Sequence, residues 1–174
     1  MIDASTIPGT LSSMTQWLSE TEQQAWRGLL AMTSRLEAHL NRQLHERSNL
    51  SLADYDVLVP LSEDPDNRLR MFSLAERLGW DRSRLSHHLV RMQRRGLVRR
   101  EGCESDRRGA FVELTEVGQL ALSAAAPAHV DTVRRVVFDG LSAEQVYALQ
   151  QVTDEVLRRL SSEQAEVVDG VRAE

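Results

Sequence analysis

Three features of the sequence predict a mostly helical fold that contains one small β-hairpin. Apolar residues recur at helical spacing in long segments near both ends of the chain, and the middle holds two shorter helical patterns separated by a tight turn. Two short segments, 97–101 and 110–114, flank a charged turn and are typical of paired strands. The 174 residues suffice for one compact domain with helical extensions.

The first helix is predicted to begin after Ser19, because Ser19 and Glu22 have the spacing of a capping box. Apolar residues continue the helical period to about Glu46, which makes this helix long. A second helix is predicted to begin after Ser51. A polar connection over 63–67 follows it.

Two short helices are predicted in the middle of the chain. Ser73 and Glu76 form a capping-box pattern for the first of them, and Gly79 is expected to end it. Asp81 can cap the second helix, which is expected to end before Gly96. Two helices joined by a tight turn and followed by a β-hairpin have the outline of a winged helix-turn-helix.

Long helices are also predicted after the hairpin. One runs from Thr115 to about Phe138, with an expected kink at Pro127. Ser142 and Gln145 form a capping box for the last helix. The apolar stripes of the first and last helices are too long for a small winged helix to cover, so we expect a second copy of the chain to cover them.

The charge of the chain is unevenly distributed. The formal net charge is −5, yet the segment 66–108 holds twelve arginines and six acidic residues, a local charge of +6 against −11 for the remainder. All basic residues other than histidine are arginines, which can bind phosphate and guanine through two parallel hydrogen bonds. Since phosphate binding responds to local charge, a nucleic-acid partner is compatible with the acidic total.

The second short helix, 82–95, has two different faces. Leu85, Leu89 and Met92 share one face and are predicted to pack on a core. The opposite face and its flanks carry hydroxyl groups, long donors and a valine, the mixture that a helix reading the major groove needs. The residues of this helix predicted to bind DNA are Arg82, Ser83, Arg84, Ser86, His87, Val90, Arg91 and Arg94. Taken alone, the helix also fits a solvated amphipathic surface helix; the neighbouring short helix and hairpin favour the DNA-reading interpretation.

The predicted hairpin turn, 102–109, is bounded by glycines and rich in charge. Arg107 can enter a minor groove or contact phosphates and is predicted to bind DNA. Asp106 and Arg108 are expected to structure the wing by pairing with each other or with nearby charges.

Together these segments resemble the MarR (multiple-antibiotic-resistance regulator) family. The resemblance rests on the run Leu97-Val98-Arg99-Arg100, on the segment from Asp106-Arg107-Arg108 to Leu114-Thr115, and on the glycine-containing helix start that follows. It implies a homodimer joined through its terminal helices. It also implies binding to double-stranded DNA at a palindromic operator, usually as a repressor that a small molecule releases.

The resulting domain assignment has four parts. They are an N-terminal tail (1–17), a helical dimerisation region (18–48 and 116–162), a winged helix-turn-helix DNA-binding domain (49–115) and a C-terminal tail (163–174).

Other functions find less support in the sequence. No nucleophile motif, glycine-rich phosphate loop or metal-ligand spacing is present, so neither an enzyme nor a metal or other cofactor is predicted. A single cysteine, the lack of a signal peptide and the lack of an apolar run of about 20 residues predict a cytoplasmic protein without a membrane partner.

Three alternatives remain open. The regulator could act without a small-molecule effector, or the winged helix could serve protein contacts instead of DNA. Cys103 in the wing could act as a thiol-based redox sensor, although it has no second cysteine to resolve it.

Trp26 and His39 are candidate effector contacts, because aromatic pockets between the first helix and the winged domain bind effectors in members of the resembled family.

Overall fold

The computed structural model describes residues 16–101 and 110–172, with side chains as far as residue 163. In chain order the described elements are α1 (Glu20–Ser48), α2 (Leu52–Glu63), β1 (Arg68–Arg70), α3 (Met71–Leu78), α4 (Arg82–Arg94), β2 (Val98–Glu101), β3 (Phe111–Leu114), α5 (Glu116–Val133), a π-helical turn (Arg134–Phe138) and α6 (Ala143–Arg172). The chain divides into two compact units after Ala125, within α5. The prediction of a mostly helical fold with a small β-element is confirmed.

Side-chain caps fix the starts of several helices. The Ser19 hydroxyl accepts from the Glu22 amide, and the Glu22 carboxylate accepts from the Ser19 amide, which confirms the predicted capping box of α1. Asp81 caps α4 through a 2.7 Å bond from the Arg84 amide, as predicted. α2 has a capping box as well, between Ser51 and Asp54, which the sequence analysis did not identify.

The predicted capping box of α3 is wrong. This helix begins at Met71, two residues before Ser73, and its N-cap residue Arg70 makes no side-chain cap. The Met71 amide instead donates to the Ala110 carbonyl at 2.9 Å. The β-structure therefore satisfies the first amide of the helix, and no hydroxyl cap is needed there. The predicted stop is correct, since Gly79 has a left-handed backbone with φ of 61°.

The sheet has three antiparallel strands in the order β1-β3-β2. β2 and β3 are the predicted hairpin, with Arg99 opposite Glu113 and Arg100 opposite Val112. β1 was not predicted; it pairs with the free edge of β3 and places Arg70 opposite Phe111. Three residues with two arginines carry no recognisable strand pattern, so only the pairing with β3 defines this element.

The core of the first unit lies between the sheet and helices α2 to α4. Its fully buried side chains include Val57 and Leu61 of α2, Leu74 of α3, and Leu85 and Leu89 of α4. The predicted apolar face of the fourth helix is therefore confirmed. One face of α4 is fixed in the core, and this orients the opposite face outward.

The C-terminal helices differ in two respects from the prediction. α5 ends at Val133, and a π-helical turn at Arg134–Phe138 replaces the predicted last part of the helix. Pro127 lies within α5, and the kink expected there stays a prediction. α6 begins at its predicted capping box of Ser142 and Gln145, and it continues to Arg172, beyond the end expected at residue 162. No helix in the described part of the chain combines the length and apolar character that crossing a membrane requires.

Gly118 marks a close approach between α5 and the start of the hairpin. A Cβ atom at this position would overlap the Leu97 carbonyl oxygen and lie 2.8 Å from Leu114 Cδ1. Because the main obstacle is backbone, we expect Gly118→Ala to lower the free energy of unfolding by about 1–3 kcal/mol. Gly140→Ala is the control, since a Cβ there meets nothing within 4 Å. Urea unfolding at one protein concentration measures the stability of both variants. Equal stability of the two would contradict the close approach at Gly118.

Candidate nucleic-acid interface

The outward face of α4 presents the side chains that the sequence analysis selected. Ser83, His87, Arg91 and Arg94 are exposed, and Val90 is 38% exposed. At about 100° per residue these positions lie on one side of the helix, opposite Leu85, Leu89 and Met92. The face combines hydroxyl, imidazole and guanidinium donors with an apolar methyl surface, and can bind to base edges and phosphates.

Aromatic rings position two arginines near the start of α4. The Arg82 guanidinium lies 5.0 Å from the ring centroid of Phe72, which is itself exposed at the start of α3. The Arg84 guanidinium lies 4.2 Å from the ring centroid of Trp80. Such cation–π contacts hold a charged group in place without themselves neutralising its charge.

Arg100 connects the hairpin to α4. It is half-buried, and its guanidinium reaches the Ser86 hydroxyl at 3.5 Å and the Met71 sulfur at 3.7 Å. Ser86 is half-buried as well, so it lies at the edge of the outward face, beside the sheet. The sequence analysis assigned Ser86 to DNA and gave Arg100 no role.

The solvent-facing side of the sheet carries further charge. Arg68 and Arg70 of β1 both lie over the ring of Phe111, at 5.2 and 5.0 Å from its centroid. Arg99 is neutralised by Glu113 at 2.7 Å, with Glu101 at 3.3 Å. The strand β1 therefore adds positive charge beside the wing, and the hairpin strands add little.

A buried carboxylate fixes the end of α4. Asp54 is 2% exposed and receives the Arg95 guanidinium at 2.6 Å and the Ser51 amide at 2.9 Å. Arg95 follows α4 directly, and its second NH₂ group donates to the Asn49 carbonyl just after α1. One arginine thus connects the end of α4 to both the buried carboxylate and the end of α1.

His88 joins the same cluster from the inner side of α4. Arg91 donates to its Nδ1 at 2.9 Å, and a guanidinium can only donate, so the proton of the neutral ring is left on Nε2. Nε2 lies 3.1 Å from Asp54 Oδ1, without good N–H alignment toward the oxygen. The imidazole edge also packs against Trp80, with ring centroids 5.5 Å apart.

This environment controls the ionisation of Asp54. Burial alone would raise the pKa of its carboxyl group. The close contact with His88 Nε2 and the hydrogen bonds from the Ser51 backbone and Arg95 outweigh burial, so the pKa lies well below its ordinary value and the group is a carboxylate. Sequence reasoning missed this cluster, although the spacing of Ser51 and Asp54 was a readable capping-box signal.

The remaining predicted site residues lie either outside the described residues or on α1. Asp106, Arg107, Arg108 and Cys103 fall in 102–109, outside the described residues. Trp26 is 46% exposed on α1. His39, also on α1, is half-buried.

A groove of about 640 Å³ lies between α1, α2 and the corner that joins α3 to α4. Arg84 and Trp80 form one side of it, and Glu37 and Asp56 contribute carboxylates. Neither Trp26 nor His39 lines this groove. Within the described ranges, His, Cys, Asp and Glu side chains form no group of three or more that could hold a metal ion.

The fold and this interface define a class of protein. Two helices joined at a tight corner, a three-stranded sheet that ends in a hairpin, and a second helix with a basic outer face constitute a winged helix-turn-helix module.

Comparison with known proteins identifies the family. A model of the MarR family matches residues 48–109. The transcriptional regulator HosA of Escherichia coli O127:H6 is 32% identical over 121 residues, which are 70% of this chain and 87% of HosA. The chain belongs to the MarR family of transcriptional regulators, as the sequence resemblance implied.

Solved structures agree with this assignment. Sco3205 from Streptomyces coelicolor, a MarR family regulator crystallised in complex with DNA, is 43% identical, with a TM-score of 0.80 over 84% of this chain and 92% of that chain. AbsC, a MarR family regulator from the same organism, is 41% identical, with a TM-score of 0.79 over 85% of this chain and 99% of that chain.

The Asp54 cluster generates a stability prediction. Asp54→Asn keeps the shape of the side chain but removes the charge that balances Arg95, so we expect it to lower the free energy of unfolding by about 3–5 kcal/mol. Asp66→Asn is the matched control: Asp66 is exposed and lies 3.8 Å from Arg68, so its loss should cost less than about 1 kcal/mol.

Acid titration tests the same cluster independently. The folded pKa of Asp54 is lower than the value of about 3.9 expected in the unfolded chain. The unfolded state therefore takes up a proton first, and the stabilisation from Asp54 is present above about pH 4 and lost as the pH falls further. Urea unfolding at several pH values from 6 to 3 should show a smaller acid dependence for Asp54→Asn than for the wild type. Identical acid dependence of the two proteins would contradict the assigned role.

Proposed function

We propose that the protein is a homodimeric repressor that binds a palindromic operator in double-stranded DNA and is released from it by a small molecule. The outward face of α4 is the observation that carries this proposal. Its exposed hydroxyl, imidazole and guanidinium groups are attached to a helix whose other face is buried in the core. Such a helix can enter a major groove without distorting the domain.

The proposed DNA contacts have two kinds of role. Ser83, His87 and Val90 are exposed on the outward face of α4, and they are proposed to contact base edges and to determine the preferred sequence. Arg82, Arg84, Ser86, Arg91 and Arg94 of α4, with Arg107 of the wing, are proposed to bind mainly phosphates and to set the affinity. The crystal structure of Sco3205 in complex with DNA supports a DNA partner for a chain 43% identical to it.

Exposed apolar side chains support the homodimer. In the first unit, α1 exposes Trp26, Leu29 and Met32, each by 46–50%. In the second unit, α6 exposes Val152 and Leu157 by 61% and 62%. Apolar helix faces of this extent are unfavourable in water, and a second copy of the same chain covers equivalent faces by symmetry.

The groove beside α4 supports the proposal that a small molecule releases the protein from DNA. Because Arg84 belongs to α4 and also lines the groove, a ligand there contacts the helix proposed to bind DNA. A ligand that binds differently to the free and DNA-bound forms shifts the equilibrium between them.

Base recognition can be tested with a duplex selected by the wild-type protein from a random library. We expect His87→Ala to cost about 1–3 kcal/mol of affinity for the selected duplex and little for a scrambled one. Arg107→Ala should weaken binding to both and lower the salt slope by about one per subunit. His45→Ala changes an exposed histidine of α1 and is the control. Fluorescence anisotropy measures all of them; equal losses of His87→Ala on both duplexes would exclude a base contact.

The dimer can be tested on α6. Leu157→Asp places a charge in the exposed apolar stripe, so we expect light scattering to fall from twice 19.7 kDa to about 19.7 kDa. Gln151→Asp adds the same charge at an exposed position on the other side of α6 and should leave the dimer intact. A wild-type monomer at micromolar concentration that still binds the selected duplex tightly would refute the dimer.

A further inference from the structure

The groove between α1, α2 and the α3–α4 corner has the size of a small-molecule site. Its volume of about 640 Å³ falls within the range of ligand pockets. Leu52, Leu78 and Trp80 give it an apolar surface, and Glu37, Asp56 and Arg84 give it charge. All of these residues belong to the first unit of the chain.

The charge of the groove is incompletely balanced. Asp56 is half-buried, and none of the described residues donates a hydrogen bond to its carboxylate or lies within ion-pair distance of it. Burial raises its pKa, and the neighbouring Glu37 raises it further, while Arg84 and His88 act in the opposite direction. Two carboxylates therefore face the groove together with a single lining cation.

That cation is held on the aromatic wall. The Arg84 guanidinium lies 4.2 Å from the centroid of Trp80, and both residues line the groove. A ligand ammonium would find three favourable features there: the carboxylates of Glu37 and Asp56 and the face of the indole ring. A ligand carboxylate would have Arg84 as its only charged partner among the lining residues and would be repelled by both acids.

We propose that this groove is the effector site and that it binds an organic cation with an apolar body, such as an arylalkylamine. The cation pairs with Asp56 and Glu37 and competes with Arg84 for the Trp80 ring. Arg84 is attached to α4, so its displacement connects ligand binding to the DNA-reading helix. This inference rests on the proposed release by a small molecule, and it specifies the charge of the ligand and the residues that recognise it.

The test uses three probes that share a phenyl-ethyl body and differ in charge: phenethylamine, phenethyl alcohol and phenylacetate. Calorimetry on the full-length protein without DNA should detect phenethylamine binding at least tenfold tighter than the other two. Asp56→Asn and Glu37→Gln should each weaken phenethylamine binding by about tenfold, because each removes one carboxylate partner. Glu46→Gln removes an exposed carboxylate of α1 that does not line the groove, and should leave binding unchanged.

Arg84→Ala gives a result that a merely structural role cannot produce. Removing the competing cation should tighten phenethylamine binding severalfold, whereas damage to the groove would weaken it. Circular dichroism confirms that each variant is folded. Equal binding of amine and alcohol, or full binding by the Asp56→Asn protein, would overturn the proposal.

A second arm separates this inference from the proposed repressor function. Duplex binding without any probe tests the repressor function by itself. If the duplex binds tightly, saturating phenethylamine should weaken its affinity at least tenfold, and phenethyl alcohol at the same concentration should not. Amine binding that leaves duplex affinity unchanged would overturn the effector role.

Discussion

A buried carboxylate on α2 holds α4 in its position, and the proposed DNA-reading surface depends on that contact. Asp54 balances Arg95 at the end of α4, and Arg95 also donates to the carbonyl of Asn49 after α1. A charge without a partner at a 2%-exposed position would be very unfavourable, so the contacts of Asp54 with Arg95 must form together with the burial of Asp54. His88 adds a contact in the middle of the helix. The apolar core determines that α4 packs, while this polar cluster restricts how far it can slide or rotate while packed.

Arginine–aromatic contacts hold charged side chains in position on the solvent-facing surface. Phe72 holds Arg82 and Phe111 holds Arg70, and none of the described carboxylates lies within ion-pair distance of either arginine. Arg68 also lies over Phe111, with only the exposed Asp66 at 3.8 Å. Arg99 contrasts with them, because Glu113 neutralises it. Positive charge is therefore positioned at the start of α4 and along β1, where it remains available to phosphate. This arrangement explains how a chain of net charge −5 can present a positively charged surface.

The elements with a local signal were predictable from the sequence, and those defined by distant contacts were not. Ser19, Asp81 and Gly79 determine helix ends through their own backbone or side chains, and the structure confirms them. β1 exists only because it pairs with β3, and the start of α3 is satisfied by the Ala110 carbonyl, so neither leaves a pattern near its own position. The outward face of α4 followed from helical periodicity. The pairing of Asp54 with Arg95 spans 41 residues of sequence, and no local rule can reveal it.

Arg84 illustrates why the two proposed activities of α4 depend on each other. Its guanidinium is attached to the DNA-reading helix and lies over Trp80, at the edge of a groove that contains two carboxylates. A ligand ammonium that takes the Trp80 ring displaces Arg84 from the position in which α4 presents it to a DNA phosphate. Any ligand that pairs with Glu37 and Asp56 and takes this ring therefore weakens DNA binding, and by thermodynamic reciprocity DNA binding lowers the affinity for that ligand by the same factor. Coupling of this kind requires no long pathway, because both partners contact the same side chain.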